Sequence, residues 1–237
     1  MQNLLTGKVI VKNLRYMDQY CYLCGEPKTS AEHVPARCFF PKDSEFRKDL
    51  IKVPSCARHN EATSMDDEYV RNIICMSIGT NPIAFRQFIE EVQKSFEHSI
   101  KLQQSTFQNT QKVYVEGREG IQTTFAFEID RNRFDKVMKK IGYALYYHKY
   151  NKVWQRGLIV ATDCLLNVGM QQDENGQLIS LYRQLMIEPI FDGKNPKVFQ
   201  YKFQETECED VILWMKFYEG FEVFIIPNTN TSRPEEI

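Results

Sequence analysis

The chain has 237 residues, 43% of them apolar, which suits one large domain or a small module joined to a larger one, folded without help from disulfides. Thirty basic against thirty-one acidic side chains leave a formal charge of -1, which excludes a global field that draws in nucleic acid or membrane. Any polyanion site has to be local.

The N-terminus, "MQNLLTGKVIVKNLRYM", carries Lys8, Lys12 and Arg15 in its apolar run with no small-residue cleavage site behind it. No stretch approaches the roughly 18 uninterrupted apolar residues of a membrane span. The seven cysteines are too few and too unevenly spread for a secreted disulfide scaffold. A cytoplasmic protein is expected.

From Cys21 to His59 the chain is rich in Cys, charge and proline (Pro27, Pro35, Pro41, Pro54), so a small loop-built module is predicted there. Next, "SMDDEYVRNIICMSIG" starts with Ser64 and has Asp67 three positions on, resembling a capping box, and predicts a helix from about Ser64 to Ser77. Asp66, Asp67 and Glu68 are read as favouring the start of that helix through its dipole. A second helix is predicted from Pro82 through "IAFRQFIEEVQKSFEHSIKL", with Phe85, Phe88, Ile89, Val92, Phe96 and Ile100 as one core-facing stripe. "KVYVEG" and "TTFAFEID" predict a strand pair about Gly117 and Gly120, and "RFDKVMKKIGYALYYHKY" a third helix. The remaining signals read as strands: "GLIVATDCLLNVG", "LYRQLMIEPIF", "KVFQYKFQE", "DVILWMKFY" and "FEVFIIP". Their aromatics are expected in a core, with Lys202 and Lys216 between them, and the tail "NTNTSRPEEI" is expected to fray.

Cys21 and Cys24 flank "YL" and lead into Gly25, the spacing of a zinc knuckle; Cys56 and His59 repeat that spacing some thirty residues on. Together they make a Cys3His set suited to tetrahedral zinc. The competing reading, buried apolar thiols and a core histidine, requires two accidental pairs in a polar, proline-rich stretch. Cys38, beside Phe39 and Phe40, is read as a packed thiol, and Cys75, Cys164, Cys208, His98 and His148 as structural.

"AEHVPA" between these two halves, with the second half written "CARHN", resembles the HNH endonucleases, over about Tyr20 to Tyr69. The helical and strand patterns read above predict helices and a mainly antiparallel sheet in an accessory region over 66–237, making the chain α+β overall; for residues 1–65 the resemblance implies an N-terminal zinc-stapled ββα-metal module. It also implies metal-dependent hydrolysis of nucleic acid, with DNA the expected substrate, in a setting such as restriction, a mobile element or phage defence, and a protein partner that controls activity is compatible with it. By position, Cys21, Cys24, Cys56 and His59 match the structural zinc ligands, and His33 the general base. Glu32 and Asn60 match ligands of a catalytic Mg²⁺ or Mn²⁺, and Asp49 is the position nearest the family's middle Asn. These residue types suit the chemistry, because an imidazole titrates near neutrality and hard oxygens suit a hard cation. Asn60 also reads as a turn residue or helix cap. The rival functional reading is a non-catalytic zinc-binding adaptor for nucleic acid or protein.

Overall fold

The structure is a computed structural model that describes residues 19–98, 100–117, 120–165, 172–186, 190–206 and 210–231. Cys208, the N-terminal run and most of the tail discussed above lie outside these residues.

Between the two halves of the Cys/His pattern the chain forms an antiparallel hairpin, β1 (Ser30–Val34) against β2 (Ile51–Ser55). Glu32 stands opposite Val53 and His33 opposite Lys52. Alternation sends Ser30, Glu32 and Val34 inward with Val53 and Ser55, while Ala31, His33 and Lys52 line the outer face.

A short 3-10 turn, Glu61–Thr63, leads into α1 (Ser64–Met76), close to the predicted bounds. Its start differs in detail. Ser64 is the first helical residue and donates to the Glu61 carbonyl, and Asp67 is buried instead of completing a capping box.

Asn81 caps α2 (Pro82–Gln87), its side chain accepting from the Ile83 and Ala84 amides at 3.1 and 3.3 Å. The rod continues through a π-type turn at Phe88–Val92 into α3 (Gln93–His98), and α4 (Ile100–Thr106) follows. That wide turn rotates the buried face, so the single predicted stripe is split. Ala84, Gln87, Val92 and Phe96 are buried, whereas Phe85, Ile89 and Ile100 are exposed. The hairpin of β3 (Gln111–Gly117) and β4 (Gly120–Ala126) turns at the expected glycines.

Helix α5 (Arg131–Tyr150) is capped by Asp130, whose carboxylate accepts from the Arg133 amide at 3.0 Å. It ends at Asn151, which takes the left-handed conformation at φ 51°. The five-stranded sheet consists of β5 (Gly157–Ala161), β6 (Asp192–Asn195), β7 (Phe199–Glu205), β8 (Val211–Phe217) and β9 (Phe221–Asn228), in the order β5-β9-β8-β7-β6 with every neighbour antiparallel. One face of it packs on α5, close enough at Gly142 that a Cβ would stand 3.3 Å from Ile225. The aromatics of β7 and β8 lie in this core as expected, with Phe199, Tyr201 and Phe217 buried.

The other face is covered by α6 (Gln172–Leu185). Here "LYRQL" was expected as strand and is the end of a helix. Ile179 and Tyr182, one turn apart, both pack toward Phe224, with the Tyr182 ring 5.8 Å from it, and Arg183 binds Asp163 and Glu222. A strand would place those two side chains on opposite sides.

A single apolar cluster runs from Cys21, Tyr22 and Leu23 through Phe39 and Ile74 to Phe217 and Ile225. That cluster takes in residues on both sides of the boundary expected between residues 65 and 66. Buried polar contacts tie the halves further: the Tyr218 hydroxyl meets the Phe39 carbonyl and the Gln87 side chain. Gln87 in turn donates to the Cys38 carbonyl at 2.7 Å.

Candidate functional site

The first knuckle is closed by the Gly25 amide on the Cys21 carbonyl at 3.2 Å, with Gly25 at a φ of +72° that favours glycine. In the second, the His59 and Asn60 amides both donate to the Cys56 carbonyl at 3.1 Å. These turns aim four donors at one point. Cys21 Sγ and Cys56 Sγ each lie 3.4 Å from His59 Nδ1, Cys24 Sγ lies 3.8 Å from Cys56 Sγ, and all four donors fall within 4.8 Å of one another. Zinc bonds of about 2.3 Å to sulfur and about 2.0 Å to nitrogen, at tetrahedral angles, give edges of about 3.8 and 3.5 Å. The residues fit a tetrahedral ion such as zinc.

Burial raises the Cys56 thiol above its ordinary value, and the neighbouring Cys21 adds to that. A bound cation reverses this preference. Cys38 and Cys75 are different: burial pushes each up to about 12, so both are inert packed thiols. Cys164 is pushed up to about 11 for the same reason.

The hairpin separates the residues expected to act together. Glu32, only 4% exposed, meets Lys140 Nζ with Oε1 at 3.0 Å and accepts from Ser55 Oγ at Oε2, 3.2 Å away. Lys140, on α5, also donates to Asp67 Oδ2 at 2.7 Å and to Thr63 Oγ1 at 2.8 Å. Its ammonium thus sits between two carboxylates and a hydroxyl. Burial raises the carboxyls of Glu32 and Asp67 above the usual range, against the opposing pull of Lys140. Burial lowers Lys140 in turn, but the two carboxylates lift it above an ordinary lysine, so its charge is retained.

Asn60 donates from Nδ2 to Ser30 Oγ at 2.8 Å, beside the inner face. A Mg²⁺ or Mn²⁺ ion requires open oxygen ligands and keeps several sites for water and phosphate. Glu32, buried with both oxygens engaged, does not offer that. Glu32 and Asn60 as they stand do not fit the catalytic cation that the HNH resemblance implies.

The His33 side chain lies half-buried on the opposite face, across the ladder from Lys52. Burial lowers its pKa, as do Lys52, Arg37 and Arg47, so the ring is neutral at pH 7. Asp49 is exposed at a left-handed φ of 51° before β2 and makes no hydrogen bond to His33. His98 and His148 are exposed on α3 and α5.

Sequence reasoning missed Lys140, which is one lysine among several in an amphipathic helix, and gave Asp67 a capping role. It also passed over Arg37, Arg47 and Lys52. Strand alternation supplied the signal for Lys52, because the inverted order of an antiparallel pair brings it opposite His33. No protein-family model, curated protein or solved structure matches this chain.

Proposed function

We propose that the N-terminal module is an HNH-type unit that hydrolyses phosphodiesters in nucleic acid, DNA being the expected substrate, with zinc in a structural role and His33 as general base. The observation that carries this reading is a neutral, half-exposed imidazole on the first strand of a Cys/His-pinned hairpin that is followed directly by a helix. The ion would be held by Cys21, Cys24, Cys56 and His59 and would fix the loops at both ends of the hairpin. His33 takes a proton from water, the resulting hydroxide forms a bond to phosphorus, and the ester P–O bond breaks. The leaving oxygen takes up a proton from solvent or from the imidazolium.

The base must be neutral to act, and its pKa lies below the ordinary histidine value of about 6.5. Activity should be full at neutral pH and be lost only as the pH falls through that lowered value. A rate profile on plasmid, linear duplex, single-stranded DNA and RNA checks this. An inflection above the ordinary histidine value would remove His33 as the base.

One observation favours the adaptor reading: the engagement of Glu32 by Lys140, which closes the position where the resemblance puts a catalytic cation. Binding of nucleic acid with no turnover on any of the four substrates would select it.

A further inference from the structure

We infer that the outer face of the hairpin holds a nucleic-acid phosphate through Arg37, Arg47 and Lys52 without a divalent cation, a reading that rests on the proposed phosphodiester site at His33.

On the inner face Glu32, the carboxylate matched to a metal ligand, is engaged by Lys140, whose ammonium lies 3.0 Å from Glu32 and 2.7 Å from Asp67. Both Glu32 oxygens are engaged there, Oε1 by Lys140 and Oε2 by Ser55. On the outer face Lys52 is exposed directly across the ladder from His33. Arg37 is exposed at the start of the 3-10 turn Arg37–Phe39, three residues after β1. Arg47 is fixed by two hydrogen bonds, from Nε at 3.2 Å and Nη2 at 2.8 Å, to the Phe40 carbonyl, which orients its guanidinium.

None of these three cations forms an ion pair with a described carboxylate, although the chain as a whole is close to neutral. Unpaired cations crowded about a neutral histidine cost energy until an anion arrives. Burial and the neighbouring Arg37 lower the pKa of Arg47, with Glu91 opposing them. Guanidinium and ammonium groups aimed at one oxyanion can supply the charge stabilisation that a metal supplies elsewhere.

The test is fluorescence anisotropy with a short fluorescein-labelled single-stranded DNA and the full zinc-loaded chain in the His33→Ala background, which prevents turnover during the measurement. Buffer freed of divalent ions is compared with buffer containing millimolar Mg²⁺, and zinc content is checked in both. Binding should be the same in the two buffers. Arg37→Glu with Lys52→Glu should weaken it by on the order of tenfold or more and flatten the slope of log K against log salt by about 1.4, two phosphate contacts at about 0.7 each for a single strand. Both sites are exposed, and circular dichroism confirms that the variant is folded.

If binding requires Mg²⁺, or survives the double charge reversal, the cradle is overturned; the nuclease reading stands if the wild type still cleaves with His33. If the wild-type chain binds through these residues in both buffers but cleaves nothing, the cradle is upheld and the nuclease reading fails. Absence of binding in every buffer overturns the cradle.

Discussion

Replacing Cys56 by Ser should strip zinc from the protein and lower the melting temperature of the whole chain in one transition. A serine hydroxyl offers no thiolate, and loss of one of four ligands opens the tetrahedron formed by Cys21, Cys24, Cys56 and His59. Structural zinc contributes an apparent ~10–16 kcal/mol in small zinc-finger peptides at pH 7, comparable with the ~5–15 kcal/mol that holds a typical domain together. The effect should spread beyond the hairpin, because Cys21 and Cys56 belong to the same apolar cluster as Phe39, Ile74 and Tyr218. Elemental analysis of protein purified without chelator should give one zinc per chain for the wild type and far less for the variant. A variant that keeps its zinc and its melting curve would contradict the assignment. A melt in two separated steps would contradict the shared core.

Lys140→Met should destabilise the protein by about 3–5 kcal/mol at neutral pH, the usual cost of removing one partner from a buried ionic cluster. The ammonium is the cation shared by Glu32 and Asp67, each 4% exposed, and its removal leaves two carboxylates buried against each other. Their folded-state pKa values are already raised by burial and lose the opposing influence of Lys140. The unpaired acids then bind protons more readily folded than unfolded, so the variant recovers stability as the pH falls through the raised folded values toward the ordinary carboxylate value of about 4. Denaturant titrations at several pH values measure this. Adding Glu32→Gln and Asp67→Asn to Lys140→Met should recover most of the loss, since neutral groups require no countercharge. A loss below about 0.5 kcal/mol for Lys140→Met, the range of an ordinary surface change, would contradict the buried triad.

Much of the fold was legible where a local signal agreed with its surroundings. Periodicity located the helix at Ser64, the long helix ending at Tyr150 and the strand pair at Gly117 and Gly120, and the two Cys/His spacings identified the four donors that converge. The misreadings are cases where tertiary packing overrode local pattern. Leu181 to Leu185 have strand-like composition but belong to a helix, because Ile179 and Tyr182 reach the sheet together. The stripe through Phe85, Ile89 and Ile100 was broken by one wide helical turn that no local pattern announces.

The candidate site was half legible. The four Cys/His donors could be identified from spacing, but the resemblance put Glu32 and His33 in one site. In a strand, adjacent residues point to opposite faces. The partner that claims Glu32 is Lys140, more than a hundred residues away, and nothing short of the packing of α5 on the hairpin reveals it.

The most direct test of the central claim is a cleavage assay on supercoiled plasmid and single-stranded DNA, comparing the zinc-loaded wild type with His33→Ala at equal zinc content. The wild type should cleave, and His33→Ala should lose about 10²–10⁴-fold in rate, the usual contribution of a general base, while its zinc and its melting temperature are unchanged. Equal cleavage by the two proteins would place the chemistry elsewhere and contradict that claim.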